Sequence, residues 1–155
     1  MELKFLDANP FVYAYYKPRR KLNAEEELMK EEAKAVVARV SRGEEQVLTS
    51  VVHISEASNI LKRRMAVSEL AELVSGLLTN ASVQVEGVTP EEYLGASESA
   101  RDLGLDPNDS LAVLLMRRHG VQDIFTFDRD FDRVEGVRRL PGTGGGAGAS
   151  PTDRP

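Results

Sequence analysis

Residues 3–10 of this chain read Leu-Lys-Phe-Leu-Asp-Ala-Asn-Pro, and this stretch decides how the fold begins. The apolar residues up to Leu6 are typical of a short buried strand, which ends at Asp7. Asn9 followed by Pro10 predicts the start of a helix, with Asn9 as its N-cap. Because a strand passes directly into a helix here, we expect an α/β protein with a parallel sheet.

The rest of the sequence repeats this alternation of strand and helix patterns. Strands are predicted at 3–6, 46–49, 83–88, 124–127 and 137–140, and helices at 10–16, 24–42, 51–64, 67–78, 90–104 and 107–120. The alternation predicts a mostly parallel sheet with helices on both faces. We assign residues 1–140 to this domain, and the Gly- and Pro-rich residues 141–155 to a flexible tail.

Composition limits the classes of protein to which this chain can belong. It has 155 residues, no Cys, two His and a formal net charge of −5. The lack of Cys excludes disulfide scaffolds, iron–sulfur clusters and thiol nucleophiles. The acidic balance argues against a passive DNA-coating protein but allows a nuclease, because bound divalent cations change the local charge. No apolar run approaches the ~20 residues of a membrane span, so we expect a cytoplasmic protein without membrane association.

Two acidic residues follow directly after predicted strands. Asp7 ends the first strand, and Asp128 follows the strand at 124–127. Each could be a turn residue without further function. Ligands of parallel sheets bind at the carboxyl ends of the strands, so the two carboxylates would converge in one cleft if their strands are neighbours.

A third acid, Asp109, lies at the start of the last predicted helix. Asp106 and Asp109 have the spacing of an N-cap and its capping-box partner, which would be a purely structural role. A helix that starts at the carboxyl edge of the sheet would also direct an acid at the same cleft. We therefore expect Asp106 to cap the helix, and Asp109 to be free to face the cleft.

Glu56 is the fourth acid of interest. Val52 and Ile60 share its helix face, so its carboxylate either borders solvent or is partly buried next to a cation. Four carboxylates from four elements form a set of hard oxygen ligands, which favours Mg²⁺ or Mn²⁺ over Zn²⁺. A bound ion of this kind can activate water and stabilise the charge on a phosphodiester.

Other residues near these acids allow more than one interpretation. His53 precedes Glu56 by three positions, and we expect it to be a surface residue because oxygen ligands suit this chemistry better than imidazole. Tyr13, Tyr15 and Tyr16 could stack on unpaired bases. Their helical spacing next to the sheet instead favours core or dimer contacts.

Taken in order, these motifs resemble those of the PIN-domain ribonucleases. They are Phe-Leu-Asp-Ala-Asn at 5–9, Glu56 on a helix, Asn-Asp-Ser-Leu-Ala at 108–112 and Thr-Phe-Asp-Arg-Asp-Phe at 126–131. The resemblance implies a three-layer α/β/α fold with a central sheet of about five strands. It also implies an endoribonuclease that uses Mg²⁺ or Mn²⁺ and acts on RNA. Many short members are VapC-type toxins, which are held by a small antitoxin protein and often form homodimers.

The resemblance also assigns roles to individual residues. The residues that match the catalytic and metal-binding acids of the family are Asp7, Glu56, Asp109 and Asp128. The matched supporting positions are Asp130, which corresponds to an acid that often holds a second metal ion, and the polar residues Asn9 and Thr126.

Two alternatives to a toxin remain open from the sequence. One is a PIN-domain nuclease that processes RNA, and the other is a non-catalytic PIN scaffold that binds a partner or RNA. Retention of all four acids argues against the scaffold, because burying like charges without need is costly. A dehalogenase-type phosphatase would need an acid in place of Asn9, and a dinucleotide-binding domain would show a Gly-x-Gly-x-x-Gly motif.

Overall fold

Strands and helices alternate along residues 2–140, which are the residues that the computed structural model describes. The strands are β1 (Leu3–Leu6), β2 (Gln46–Ser50), β3 (Val83–Glu86), β4 (Asp123–Phe125) and β5 (Arg138–Leu140). The helices are α1 (Ala8–Tyr15), α2 (Ala24–Ser41), α3 (Val51–Leu61), α4 (Val67–Thr79), α5 (Pro90–Leu103) and α6 (Pro107–Arg118), with a short 3₁₀ helix at Arg129–Arg133. The tail expected at 141–155 lies outside the described residues.

The five strands form one parallel sheet in the order β3-β2-β1-β4-β5. In the central strand β1, Phe5 lies opposite Leu48 of β2 and Ile124 of β4. The chain adds β2 and β3 on one side of β1, and then returns to add β4 and β5 on the other side. This reversal makes a topological switch point between β1 and β4, where a crevice opens at the carboxyl ends of the strands.

Helices cover both faces of the sheet, because successive side chains of each strand point to opposite faces. On one face, Phe5 and Ile124 pack in a cluster with α5 and α6. On the other face, Leu6 and Phe125 pack with α2 and α4. The predicted three-layer α/β/α fold with a five-stranded parallel sheet is therefore confirmed.

Several helices begin near the carboxyl edge of the sheet. α1 follows β1 directly, α3 follows β2 directly, and the 3₁₀ helix comes after β4. The N-terminus of a helix carries a partial positive charge, so this edge of the molecule attracts negative groups. The side chains that cap the N-termini of α1, α3, α6 and the 3₁₀ helix are Asp7, Ser50, Asp106 and Asp128.

The start of α1 differs from the sequence prediction. Asp7, rather than Asn9, is the N-cap, because its Oδ1 accepts a hydrogen bond from the Ala8 N–H at 2.9 Å. Asn9 therefore lies inside the helix, and its side chain reaches across to the end of β4. The Asn9 Oδ1 accepts a hydrogen bond from the Phe127 N–H at 3.1 Å.

The 3₁₀ helix, which the sequence analysis did not predict, is attached to β5 by an ion pair. The Nε and Nη2 groups of Arg139 donate to the two carboxylate oxygens of Asp132, each at 3.0 Å. The Arg139 side chain is buried, and a two-point contact of this kind fixes both partners in orientation. The segment that starts at Asp128 is therefore anchored at both ends.

Helix α2 has 18 residues and an acidic first turn. Asn23 and Glu26 form a reciprocal capping box at its start. Within residues 2–140, no helix combines the length and the apolar composition needed to cross a membrane.

Replacing Asp106 by Ala should lower the free energy of unfolding by about 1 kcal/mol. Asp106 is exposed, and its Oδ1 accepts a hydrogen bond from the Asp109 N–H at 2.8 Å. The substitution therefore removes the cap of α6 and little packing. Urea denaturation measures the difference, and work at about pH 5 limits repulsion between Asp106 and its acidic neighbours.

The matched control for this experiment is Glu98→Ala, at an exposed position inside α5. Its free energy of unfolding should stay within about 0.5 kcal/mol of the wild type. If Asp106→Ala proves as stable as this control, the capping role is wrong.

Candidate active site

The first carboxylate of the site belongs to Asp7, at the end of the central strand. Its side chain is buried, with 4% of its surface exposed. Oδ1 accepts from the Ala8 N–H, and Oδ2 accepts from the Thr126 hydroxyl at 2.7 Å. Burial is the main cause that raises the pKa of Asp7 to about 6, with smaller upward effects from Asp128 and Asp106.

Thr126 connects the ends of β1 and β4. Its hydroxyl donates to Asp7 and accepts from the Asp128 N–H at 3.1 Å. The same oxygen lies 3.3 Å from the Asn9 Oδ1. The structure therefore brings together Asp7 and the two polar positions that the sequence singled out beside it, Asn9 and Thr126.

Asp109 contributes the second buried carboxylate, from the first turn of α6. Its side chain is 8% exposed. Burial raises its pKa to about 9, helped by the carboxylates of Asp7, Asp106 and Asp128. A hydrogen bond between Asp109 and Asp128 acts in the same direction, since a protonated Asp109 can donate to its neighbour. Asp106 itself stays exposed and caps the helix, so the two acids have the separate positions that the sequence analysis expected.

Asp128 and Asp130 lie in different environments although they are two residues apart. Asp128 is half-buried and accepts a hydrogen bond from the Asp130 N–H at 2.9 Å. The side chain of Asp130 is 57% exposed and lies 3.2 Å from Arg133. Asp128 thus joins the buried acids, whereas Asp130 is directed to the solvent-exposed side of the 3₁₀ helix.

Glu56 lies half-buried on α3 and is held by a hydrogen-bond chain. Its Oε1 accepts from the Asn108 Nδ2 at 2.7 Å, and the Asn108 Oδ1 accepts from the Tyr93 hydroxyl at 2.5 Å. The hydroxyl fixes which way the Asn108 amide points, and the amide then orients the Glu56 carboxylate. Neither Asn108 nor Tyr93 was expected from the sequence to have a role in the site. Asn108 directly precedes Asp109 in a quoted motif, whereas no sequence signal points to Tyr93.

His53 is buried, and the expectation that it lies on the surface was wrong. Only 1% of the residue is exposed, and its ring packs edge-on against Phe5 with the centroids 5.0 Å apart. Its Nδ1 lies 2.7 Å from the Ser50 hydroxyl, and its Nε2 lies 3.0 Å from the backbone carbonyl of Asn108. Burial lowers the pKa of His53, so the neutral ring donates from Nε2 and accepts at Nδ1. His53 therefore connects the start of α3 with the start of α6.

Three tyrosines lie at the end of α1, namely Tyr13, Tyr15 and the C-cap residue Tyr16. Tyr15 packs edge-on against Phe11, and Tyr13 packs edge-on against Phe127. Tyr13 and Tyr16 also line a cleft beside Asn9 and Glu56. All three tyrosines therefore pack against buried clusters, as one of the interpretations expected, and Tyr13 and Tyr16 also have a side open to the cleft.

The acids converge without forming a ready-made metal site. Among residues 2–140, no three Asp, Glu or His side chains are placed so that they could hold a metal ion. Protein donors occupy these carboxylates instead, including Thr126 at Asp7 and Asn108 at Glu56. The candidate ligand atoms are nevertheless all oxygen atoms, and a divalent cation that binds them would displace the proton that Asp109 holds at neutral pH. The chemistry of these side chains therefore fits a hard divalent ion. Their present positions do not, so the side chains would have to rearrange when the ion binds.

Comparison with a family model defines the class of this protein. The model of the PIN domain matches residues 4–137, and the chain therefore belongs to the PIN domain family. The resemblance stated from the motifs is thus confirmed. No curated protein sequence matches the chain significantly.

Solved structures with a similar fold include a VapC toxin and a toxin–antitoxin complex. VapC20 of Mycobacterium tuberculosis, a toxin that cleaves the sarcin–ricin loop, has a TM-score of 0.66 and 22% identity over 90% of this chain and 99% of its own. A toxin–antitoxin complex from Klebsiella pneumoniae has a TM-score of 0.57 and 14% identity, over 89% of this chain and 96% of its own. PAE2754 of Pyrobaculum aerophilum has a TM-score of 0.54 and 19% identity, over 90% and 92%. These similarities establish a shared fold along almost the whole length of each protein.

The metal-free protein should lose stability as the pH rises from about 7 to 8.5. Asp109 holds its proton in the folded state up to about pH 9, whereas an unfolded Asp ionises at about pH 3.9. The folded state therefore binds the extra proton, and its stabilising effect is lost as the pH rises through the folded pKa. The expected slope is up to about 1.4 kcal/mol per pH unit, measured by denaturation in EDTA.

This pH window isolates Asp109 from the other buried groups. Asp7 is largely ionised above its pKa of about 6. The lowered pKa of His53 makes stability rise with pH only below its unfolded pKa of about 6.5. Asp109→Asn should therefore remove most of the slope, while Asp102→Asn, at an exposed site on α5, should retain it. A slope that survives in Asp109→Asn would contradict the raised pKa.

Proposed function

We propose that this PIN-domain protein is an endoribonuclease that depends on Mg²⁺ or Mn²⁺. The observation that carries the proposal is the convergence of Asp7, Asp109 and Asp128 at the switch point between β1 and β4. These residues come from three separate elements, and the Asp128 carboxylate raises the pKa of both Asp7 and Asp109. Clustering buried acids is unfavourable on its own, and a bound cation would offset this cost by neutralising their charge.

The ion would be held by Asp7, Glu56, Asp109 and Asp128. Asp130 would reach a second ion only after its side chain leaves Arg133. Oxygen ligands without Cys or a coordinating His favour Mg²⁺ or Mn²⁺ over Zn²⁺. His53 is excluded as a ligand, because both of its ring nitrogens are engaged by protein groups.

Each side chain has a distinct task in the proposed reaction. When bound, the metal ion would supply a nucleophile at neutral pH and stabilise the charge on the phosphodiester. Asp109 would give up its proton to the solvent as the ion binds, and Thr126 would keep the Asp7 carboxylate in position. Asn108 would hold Glu56 in the orientation that the ion requires, and α6 would hold Asp109 at the crevice.

Cleavage of RNA should require Mg²⁺ or Mn²⁺ and should stop in EDTA. Asp7→Asn and Asp109→Asn should abolish it while the fold is retained, because each removes an anionic ligand. Asp7→Asn should raise the melting temperature of the metal-free protein, since Oδ1 can still cap α1 and a buried charge is removed. Gel analysis of labelled RNA and thermal melts measure the two effects.

Asp106→Ala is the control for these variants and should keep most of the activity. Mg²⁺ should stabilise the wild type through binding to the folded state, and should do so less in Asp7→Asn. Full activity in EDTA, or in Asp7→Asn, would overturn the proposed mechanism. Loss of activity in Asp106→Ala with activity kept in Asp109→Asn would show that the two acids have been assigned in reverse.

We further infer that the protein is the toxin of a cytoplasmic toxin–antitoxin pair. The similarity in fold to VapC20 and to the Klebsiella toxin–antitoxin complex supports this inference. The partner would be a small antitoxin protein that blocks access to the carboxylates. Co-expression with the product of a small adjacent reading frame should give a stable complex that does not cleave RNA. A complex that still cleaves would favour an RNA-processing nuclease without an antitoxin.

A second copy of this chain is the proposed partner for the exposed apolar side chains of α3. Val51 and Ile60 are exposed on this helix, and Tyr93 and Leu94 of α5 are exposed as well. Val51, Ile60 and Tyr93 line one hollow that also contains Glu56. A homodimer through this surface would therefore border the active site. Light scattering should give the mass of a dimer, and Ile60→Glu should reduce it to a monomer.

A further inference from the structure

A cleft opens directly beside the carboxylates, between α1, the loop at 17–23 and the end of α3. Its volume is about 620 Å³, within the range of roughly 300–1,000 Å³ that is typical of sites for small organic ligands. Asn9 and Glu56 lie in its wall, so the cleft is continuous with the proposed active site. A ligand that reaches the carboxylates can therefore extend into it.

Positively charged side chains without acidic partners border this cleft. Arg19 lies in the loop at 17–23 and Arg64 follows the end of α3, and both line the cleft. Further basic residues lie next to them in the two segments 17–23 and 62–64. Elsewhere, arginines such as Arg42 and Arg138 are paired with carboxylates. Within residues 2–140, the basic residues of these two segments that have no ion pair are Lys17, Arg19, Lys21, Lys62, Arg63 and Arg64. A protein with a net charge of −5 thus keeps a local excess of positive charge beside its active site.

Tyr16 lies at the centre of this positive charge. Its hydroxyl accepts a hydrogen bond from the Arg64 Nε at 3.0 Å, and the guanidinium carbon lies 5.5 Å from the ring centroid. This hydrogen bond, together with the charges of Arg64, Arg19 and Arg63, lowers the pKa of Tyr16. An aromatic ring surrounded by guanidinium groups suits a ligand that has both a flat base and phosphates.

The end of α1 is held in place so that Tyr16 is presented to the cleft. The Lys30 Nζ donates to the backbone carbonyls of Tyr13 and Tyr16, at 2.9 and 2.7 Å. Glu26, the residue of the acidic first turn of α2 that lines the cleft, makes a two-point contact with Arg20. This contact offsets the negative charge of Glu26 at this point of the cleft.

We propose that this cleft binds the unpaired RNA strand next to the scissile phosphodiester, with one base stacked on Tyr16 and the flanking phosphates contacted by Arg63, Arg64 and Arg19. The choice of RNA as ligand rests on the ribonuclease activity proposed above. Stacking on a side chain requires a base that is not paired, so the cleft selects single-stranded segments over duplex. The tyrosine sets this preference, and the arginines give affinity that depends on salt.

Fluorescence anisotropy of the full chain in EDTA tests this proposal without cleavage. The probe is a fluorescein-labelled single-stranded RNA of about 12 nucleotides, within the span of known single-strand sites. Tyr16→Ala should weaken binding roughly 5- to 100-fold, the effect of losing one stacked base, while Tyr16→Phe should retain most of the affinity. The double variant Arg63→Gln/Arg64→Gln should reduce the slope of log affinity against log salt by about 1.4. A blunt duplex of the same length should bind more weakly than the single strand.

Arg117→Gln is the matched control, because Arg117 is exposed and unpaired but lies at the opposite end of α6 from Asp109. It should bind RNA like the wild type, and melting curves confirm that each variant is folded. The proposal is overturned if the wild type does not bind the probe, if both cleft variants bind like the wild type, or if duplex and single strand bind equally. Unchanged RNA binding in both cleft variants would point to a protein partner as occupant.

The binding assay and the cleavage assay test the binding site and the nuclease activity separately. A chain that binds single-stranded RNA through Tyr16 but never cleaves it with Mg²⁺ or Mn²⁺ would refute the nuclease and keep the binding site. A chain that cleaves RNA and is indifferent to the cleft variants would keep the nuclease and refute the binding site.

Discussion

The burial of like charges at one edge of the sheet is the constraint on which the rest of this site depends. Asp7 and Asp109 are almost fully buried, and their elevated pKa values express the cost of ionising carboxyl groups there. Sequence segments far apart must meet for this to happen, since the two acids belong to the first strand and the sixth helix. An arrangement this unfavourable is retained in a fold when a function compensates for it.

The fold offsets part of this cost through the direction of its backbone. A parallel sheet places the ends of β1, β2 and β4 at one edge, and helices that start there direct their N–H groups towards it. Asp7 accepts hydrogen bonds from one of these N–H groups and from the Thr126 hydroxyl, and both hydrogen bonds lower its pKa. The effect of burial is larger than that of these two hydrogen bonds, so the pKa of Asp7 stays above its usual value. At neutral pH Asp109 therefore keeps its proton in the metal-free protein, and a divalent cation would displace that proton on binding.

The sequence predicted the layers, the strand pattern and the positions of Asp7 and Asp128 after strands, because these depend on hydrophobic periodicity and on local signals at the ends of strands. It failed where a tertiary contact competes with a local one. Asn9 looks like an N-cap, but its side chain bonds to the end of β4 and Asp7 takes the cap. His53 was expected on the surface because oxygen ligands suit the site better than imidazole, yet the ring is buried and its two partners come from β2 and α6. Tyr93 lies 15 residues from the amide that it orients, a distance at which no sequence spacing is informative.

The pair between Arg139 and Asp132 sets a limit on how far the protein can be shortened from its C-terminal side. A cut after Leu140 leaves β5 intact, and Asp132 keeps its partner. A cut before Arg138 removes β5 and leaves the Asp132 carboxylate without its guanidinium, so the 3₁₀ helix loses its anchor. Asp128 caps that helix, and the loss would therefore be transmitted to a residue of the proposed active site. A truncation at this boundary would therefore disturb Asp128 without removing any of the four carboxylates themselves.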